Sequence, residues 1–215
     1  MVAEAAGIAW RFRIVPDRAE RDSDARTHMI KTIYLEIHSP DELRPPANDR
    51  ESGAALLLRR IASAHRCCEM YAEVGKLQYW KIYRWGWDEE DWRRYLQRPD
   101  IEAWMIECGD GVPVGYLELQ HHEDRSIEIL IFGILPDFIG CGIGGRALAL
   151  VTRHCLDRKP ARVWLHTCSL DHPAALKNYY ARGFKFVREE VSNVLVLEER
   201  PSLLEPGLAD TCLAA

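Results

Sequence analysis

A short run with four glycines, GCGIGG at 140–145, is the segment of this sequence whose composition most clearly favours ligand binding. Successive backbone N–H groups in such a turn, at the start of a helix, form a site for an anion, and the helix dipole adds to the attraction. Glycine also permits positive φ angles and lets the backbone approach a phosphate closely. A simple helix-starting turn needs fewer glycines, so the run predicts a phosphate-binding loop.

One interpretation of this loop is the dinucleotide fingerprint G-x-G-x-x-G, which Gly140, Gly142 and Gly145 satisfy. That fingerprint follows its strand directly and needs an acidic residue after a second, parallel strand. Here residues 136–139 separate the strand from the first glycine, and Asp157 falls at the end of the predicted helix. The strands before the loop are also predicted to be antiparallel. A Walker A loop is excluded because no Gly-Lys-Ser/Thr follows.

The surroundings of the loop resemble the GNAT superfamily of acetyl-CoA-dependent N-acetyltransferases. ILPDFIGCGIGGRAL at 134–148 resembles its motif A, a strand ending in apolar-x-Pro followed by R/Q-x-x-G-x-G/A and a helix. HPAALKNYYARGFKF at 172–186 resembles its motif B, and LHTCSLDHPAA at 165–175 resembles a bacterial branch that carries LHTCxLDHPAA before that motif. The resemblance covers roughly 100–190, and more loosely 30–190. Two motifs in the expected order and spacing make it a specific signal.

The resemblance implies a mixed α/β (α+β) fold with a central, mostly antiparallel, splayed sheet flanked by helices. It implies acetyl-CoA as cosubstrate and no metal. The leading Arg/Gln of motif A falls on Ile139, so one side-chain contact to phosphate is lost, and Arg146 is the nearest basic residue of the helix that follows. The residues that the resemblance places against the cofactor are Phe132, Ile134, Leu135, Ile139, Gly140, Cys141, Gly142, Ile143, Gly144, Gly145 and His172.

Glu128 is the residue to which the resemblance assigns the role of general base. It lies 11 residues before Ile139, on the strand that precedes the loop, where superfamily members often carry a glutamate that acts directly or through water. A charged residue within the apolar run SIEILIFGIL is itself unusual. The alternative interpretation is a glutamate at a sheet edge or facing solvent.

Tyr179 is the tyrosine of motif B, which in the superfamily points at the CoA sulfur and protonates the departing thiolate. Tyr180 competes for this assignment, but the four-residue step to Gly183 selects Tyr179. A tyrosine that only packs in the core is the alternative. Acetyl transfer to an amine benefits from an acid as well as a base, because the ammonium loses a proton and the thiolate gains one.

Glu118, His166 and Trp85 are the candidates for contact with the acceptor. A hairpin centred near residue 123 makes Glu118 and Glu128 cross-strand neighbours, and their repulsion would raise the pKa of one carboxyl. His166 lies on a later strand that can face the cleft. Trp85 belongs to an aromatic segment that either covers the acceptor or packs between helix and sheet; its members are Trp80, Tyr83, Trp85, Trp87 and Trp92.

The predicted function is acetyl transfer from acetyl-CoA to a primary amine of a small molecule or amino acid, directly within a ternary complex. A protein lysine or N-terminus is the alternative acceptor, and a non-catalytic acyl-CoA-binding module is the alternative class. His121 and His122, in the hairpin turn, are expected to be solvated. No metal-ligand spacing is present in the sequence.

The elements that must position these residues follow from hydrophobic periodicity and breakers. Residues 1–27 are predicted as an N-terminal extension with a possible strand, 28–200 as the domain, and 201–215 as a frayed tail. Helices are predicted at 53–74, after an N-cap at Asp88, at 144–157 and at 173–182. Strands are predicted at 10–15, 29–37, 101–108, 112–120, 126–135 and 161–168, with one or two more after Gly183.

Composition limits the classes of partner. The net charge is −5 and no long block of like charge occurs, so nucleic acid is not an expected partner. No apolar run of membrane-spanning length and no signal peptide is found. The seven cysteines form no C-x-x-C pair, which favours reduced thiols and a cytoplasmic location. A homodimer is left open.

Overall fold

The computed structural model describes residues 25–46, 55–75, 84 and 87–197. Within these residues one sheet contains the strands β1 (Ala25–Ile37), β2 (Leu56–Ile61), β3 (Ile101–Cys108), β4 (Pro113–His121), β5 (Ile127–Ile134), β6 (Val163–Cys168) and β7 (Lys185–Leu197). The α-helices are α1 (Ala64–Gly75), α2 (Glu89–Leu96), α3 (Ile143–Leu156) and α4 (Ala175–Ala181). Short 3₁₀ turns lie at Pro40–Glu42 and Pro136–Phe138.

The strand order is β2-β3-β4-β5-β6-β1-β7, and every neighbouring pair is antiparallel except β5 and β6. This confirms the predicted mostly antiparallel sheet. The parallel pair is short, because only Ile127 and Glu128 pair with β6, opposite Val163 and Trp164. Beyond Glu128 the two strands separate, and the sheet is splayed at this position.

A β-bulge lies next to the point of separation. Glu118 pairs with Ile131 and Leu119 pairs with Ile129, so Leu130 has no partner on β4. A bulge bends its strand and increases the local twist. The extra residue therefore turns β5 away from a regular ladder where the strand also leaves β6.

Each face of the sheet carries its own core. Because side chains alternate along a strand, Leu117 and Leu119 face α3 and α4, whereas Tyr116 and Glu118 face α1 and α2. Leu148 of α3 is fully buried in the first core. Burying a leucine of this kind contributes about 1.5–3 kcal/mol. The two cores hold β4 and β5 rigidly between the helix pairs.

The helix predicted at 53–74 is wrong in its first half. Residues Leu56–Ile61 form β2, which pairs with β3, and α1 begins only at Ala64. Leu57 is 53% exposed and Ile61 is buried, so the apparent helical spacing joined residues of two different elements. Strand pairing with β3 outweighs the weak helical preference of this short segment.

The other described elements agree with the prediction. Asp88 caps α2, with its side chain accepting from the N–H of Asp91 and the Asp91 side chain accepting in return. β3 to β6, α3 and α4 lie within about two residues of their predicted bounds, the ordinary error for element ends. The closing segment is one strand, β7. The predicted strand at 10–15 and the tail at 201–215 lie outside the described residues.

The place of β1 in the sheet was not predictable. It lies between β6 and β7 and pairs antiparallel with both. β1 begins at Ala25, three residues before the predicted start of the domain at residue 28. The domain bounds themselves remain a prediction. The N-terminal strand therefore completes the half of the sheet that lies beyond β6.

Candidate active site

The glycine loop has the backbone conformation of an open turn. Gly140 has φ +87° and Gly142, the N-cap of α3, has φ +75°, a region that side chains rarely allow. A Cβ built on either residue would meet no atom within 4 Å. Both glycines are therefore required by the backbone, and the space above them is open.

Gly144 and Gly145 have a different role. The carbonyl of Gly144 accepts a hydrogen bond from Asn178 Nδ2 at 3.1 Å. A Cβ on Gly145 would lie in ordinary contact with Asn178 of α4, at 3.5 Å from Oδ1, and would displace only the end of the Arg182 side chain. The first N–H groups of α3 have no partner within a helix and point toward the loop. The loop thus combines an anion-binding turn with a close contact between two helices.

The separation of β5 from β6 leaves an unpaired backbone edge. Residues 129–134 of β5 have no partner on β6 among the described residues. Phe132 and Ile134 on this edge are half-buried against the core below α3, and Leu135 follows them against the opposite core. An extended ligand with amide groups can pair with such an edge. The edge leads directly to the glycine loop, where Ile139 is 39% exposed and Cys141 is exposed.

Glu128 lies at the start of this opening and is 1% exposed. Its Oε2 atom is 3.1 Å from His122 Nε2, and its Oε1 atom is 3.2 Å from His166 Nδ1. Burial acts to raise the pKa of Glu128, but the two imidazole hydrogen bonds outweigh it and hold the pKa below its ordinary value. The same hydrogen bond raises the pKa of His122. Glu128 is therefore a charged carboxylate that holds two imidazoles.

The expectation that His121 and His122 are solvated is only partly right, because their side chains are 34% and 27% exposed but each also contacts a glutamate. His122 binds Glu128, and His121 Nε2 is 3.1 Å from Glu102 Oε1. His121 is the last residue of β4 and His122 follows it, between β3, which carries Glu102, and β5, which carries Glu128. Glu128 is the one glutamate of the otherwise apolar strand β5, and this was a signal in the sequence that a polar side chain lies next to it.

Glu118 does not neighbour Glu128 across the hairpin, so that expectation is wrong. The partner of Glu128 on β4 is Gln120, and the bulge places Glu118 opposite Ile131. Glu118 is fully buried and binds the Arg84 guanidinium through both oxygens. The two carboxylates are separated by the register, and each is hydrogen-bonded by other residues.

Tyr179 and Tyr180 point in different directions, as the helical geometry requires. Tyr179 is buried beside Phe184, with ring centroids 6.2 Å apart, whereas Tyr180 is 42% exposed. Burial, with a smaller effect of the Asp171 carboxylate, raises the pKa of Tyr179. Among the described residues its hydroxyl makes no hydrogen bond. His172 is exposed and accepts from the Ala174 N–H at 3.1 Å through Nδ1.

Trp80, Tyr83 and Trp85 lie outside the described residues. The predicted contact of Trp85 with the acceptor therefore remains a prediction. Trp87 and Trp92 are described and pack around Arg84, which the sequence analysis missed. The position of this arginine within YRWGW was a usable signal, since a cation amid aromatic residues often stacks on them.

Other classes of site find no support in the part of the chain that the structure describes. No group of three or more potential metal ligands occurs there. Six described cysteines form no disulfide. No described helix is long and apolar enough to cross a membrane.

Comparison with known proteins agrees with this architecture. The model of the Acetyltransferase (GNAT) family matches residues 61–184. No curated protein sequence matches the chain. A GCN5-related N-acetyltransferase from Kribbella flavida is 20% identical, with a TM-score of 0.53 over 83% of this chain and 62% of that one. A GCN5-related N-acetyltransferase from Sphaerobacter thermophilus is 17% identical, with a TM-score of 0.55 over 79% and 52%. The chain thus spans only about half to three-fifths of these matched structures.

Proposed function

Because the chain belongs to the GNAT acetyltransferase family, we propose that it transfers the acetyl group of acetyl-CoA to a primary amine of a small molecule or amino acid. The observation that carries this proposal is the opening between β5 and β6. It begins at Glu128, exposes one backbone edge of β5 and ends at the glycine loop. A buried carboxylate, an extended binding edge and an anion-binding turn therefore follow one another along β5 and the loop after it.

The residues of this chain fit acetyl-CoA. The open space at Gly140 and Gly142 and the first N–H groups of α3 suit a pyrophosphate, which approaches a backbone closely only where no Cβ intervenes. The unpaired edge at 129–134 suits the amides of the pantetheine arm. When bound, acetyl-CoA supplies a thioester whose carbonyl carbon is the electrophile. Ile139 and Cys141 contribute no charge, so the backbone supplies the anion site at this part of the loop.

The cluster around Glu128 is proposed to take the proton of the acceptor ammonium. If His166 donates its Nδ1 proton to Glu128, its Nε2 atom carries a lone pair and can accept a proton. The carboxylate stabilises the imidazolium that results. Glu128 thus acts through His166, and its low pKa keeps it charged for that role.

Tyr179 is proposed to supply the second proton. Its raised pKa keeps the hydroxyl protonated at neutral pH, and the hydroxyl has no hydrogen-bond partner among the described residues. A positioned phenol can give its proton to a departing thiolate. Direct transfer needs no nucleophile on the protein, and none is assigned.

Turnover tests the proposal. The protein is incubated with acetyl-CoA and a panel of primary amines, and thiol release is followed together with the mass of the acetylated product. We expect thiol release that depends on the amine. If CoA binds but none of the amines causes thiol release, the protein is instead a non-catalytic acyl-CoA-binding protein.

The Gly142→Asp variant tests the cofactor site. It adds a side chain at φ +75° and an opposing charge, and we expect it to abolish thermal stabilisation by CoA in a folded protein. Gly111→Asp is the matched control, because Gly111 also has a positive φ, +84°, and open space around its Cβ position, but lies in the turn between β3 and β4. Equal stabilisation of both variants by CoA contradicts the assignment of the loop.

A further inference from the structure

The guanidinium of Arg84 is enclosed by aromatic rings from two helices and the segment between them. Its Cζ atom lies 4.3–4.9 Å from four ring centroids. The rings belong to Tyr71, Trp87, Trp92 and Tyr95, which we call the aromatic cage. The Arg84 side chain is only 8% exposed. Stacking on a desolvated aromatic face stabilises a cation strongly.

Glu118 forms the floor of the cage. Each of its oxygens is 2.5 Å from one terminal nitrogen of Arg84. The hydroxyls of Tyr95 and Tyr116 also donate to this carboxylate, the latter at 2.6 Å. Tyr116 is held in turn by Cys67, whose sulfur lies 2.8 Å from the phenol oxygen. The assembly thus surrounds a planar cation, the guanidinium of Arg84, with aromatic rings and a carboxylate.

A gain in stability is a weak explanation of this arrangement. A buried ion pair is often no more stabilising than well-packed apolar side chains of the same volume. Aromatic rings that enclose a cation are, in contrast, a known recognition device: they attract desolvated ammonium and guanidinium groups, and cages of several rings bind quaternary ammonium ligands. The cage therefore has the chemistry of a ligand site that is filled by a side chain of the same protein.

The cage also has the right position. Glu118 pairs with Ile131, beside the unpaired Leu130, at the point where β5 has left β6. Paired residues on neighbouring strands lie about 5 Å apart at their Cα atoms. The carboxylate of the cation site therefore belongs to the strand next to β5, whose other edge borders the opening at which the acetyl group is expected.

We propose that the aromatic cage and Glu118 bind a cationic group of the acceptor, and that Arg84 occupies this site until the acceptor displaces it. The inference rests on the proposed function and specifies its substrate class. A cation held against a buried carboxylate stays protonated and has no lone pair for attack. The acceptor is therefore a molecule with two basic groups, an alkyl diamine or an aminoalkyl guanidine, of which one is bound and the other is acetylated.

Two Arg84 variants separate a tethered competitor from a structural ion pair. Arg84→Ala empties the cage, whereas Arg84→Met fills it with a neutral chain of similar length. We expect Arg84→Ala to bind 1,4-diaminobutane at least about tenfold more tightly than the wild type, a difference of about 1.4 kcal/mol. Arg84→Met should bind it more weakly than Arg84→Ala by a similar factor. Binding is measured by isothermal titration calorimetry without acetyl-CoA.

Arg84→Lys extends the test to a variant that keeps the charge. Lysine lacks the two-pronged geometry that matches the carboxylate, so it is displaced more easily than arginine. Its affinity for 1,4-diaminobutane should lie between those of the wild type and Arg84→Ala. If neither Arg84→Ala nor Arg84→Lys binds the diamine more tightly than the wild type, Arg84 is a structural residue and the proposal is overturned.

The KM for the acceptor distinguishes this inference from the proposed function. With acetyl-CoA present, the wild type should have a KM for 1,4-diaminobutane at least about tenfold below that for butylamine, which cannot fill the cage and react at once. Equal KM values overturn the cage proposal while leaving acetyl transfer intact. Tight diamine binding to Arg84→Ala without turnover of any amine supports the cage and contradicts the proposed acetyl transfer.

Discussion

Two buried glutamates on neighbouring strands face the same side of the sheet, yet their surroundings differ. Glu118 on β4 is 0% exposed and is bound by a guanidinium and two phenols. Glu128 on β5 is 1% exposed and is bound by two imidazoles. Both carboxylates are hydrogen-bonded, as buried charged groups must be.

The difference lies in what the partners can do with a proton. Arginine stays charged at every pH that the protein experiences, and the Glu118 carboxylate raises the pKa of Arg84 further against the cost of burial. The Glu118 region therefore holds a fixed charge and suits recognition of a cation. Imidazole exchanges its proton near neutral pH, so the Glu128 region suits proton transfer. The partner of a buried carboxylate, more than its burial, decides its chemistry.

The largest expected effect is on turnover at the Glu128 region. Glu128→Gln removes the charge that stabilises a protonated His166, and we expect turnover to fall by about 10²–10⁴-fold, the usual range for acid–base catalysis. CoA-dependent thermal stabilisation should be nearly unchanged. His166→Gln should match it in the same assay of thiol release. A Glu128→Gln enzyme with wild-type turnover would show that this region is structural.

The second-largest expected effect is on the free energy of unfolding, and it arises at the Glu118 region. Glu118→Gln leaves the Arg84 guanidinium buried without a counter-charge, and we expect a loss of about 3–5 kcal/mol in the free energy of unfolding. Urea denaturation measures this loss. The double variant Glu118→Gln with Arg84→Met removes both charges and should recover most of it. Equal stability of the single and double variants would mean that the two charges are not coupled.

The third expected effect concerns the proton that Tyr179 is proposed to give to the departing thiolate. Tyr179→Phe keeps the ring and its contact with Phe184 but removes the hydroxyl. We expect about a 10²-fold fall in turnover, at the lower end of the range for general acids, with little change in CoA affinity. The exposed Tyr180 is the internal control, and Tyr180→Phe should keep wild-type turnover. Loss of turnover in Tyr180→Phe alone would reverse the assignment.

The smallest effect is a difference in the pH dependence of stability. The hydrogen bond to Glu128 raises the pKa of His122 above 6.5, so the stabilisation from this pair is full below that pH and declines as pH rises through the raised value. The pKa of Glu128 is lowered, so its own contribution is lost only below pH 4.5. His122→Asn should flatten the decline in unfolding free energy that begins as the pH rises above 6.5. The Arg84–Glu118 pair should show no such slope, and an unchanged slope in His122→Asn contradicts the assignment.

Much of the fold was predictable because its signals are local. The alternation in β3 to β6, the capping of α2 by Asp88 and the stop at Gly183 are read from neighbouring residues. The glycine loop was predictable for the same reason, since Gly140 and Gly142 are needed by the backbone itself. Motif spacing then placed Glu128 and Tyr179 on their elements, whereas their catalytic roles stay predictions.

The failures occurred where a residue's partner is distant in sequence. The hairpin register pairs Glu128 with Gln120, and the bulge at Leu130 moves Glu118 one residue further along β5, opposite Ile131, so the two glutamates are not neighbours. Arg84 lies 34 residues from Glu118, and His166 lies 38 residues from Glu128. The sequence by itself determined which residues can carry charge, cap a helix or accept a positive φ. Only the tertiary structure decided which cation neutralises which carboxylate, because strand register and helix packing set those distances.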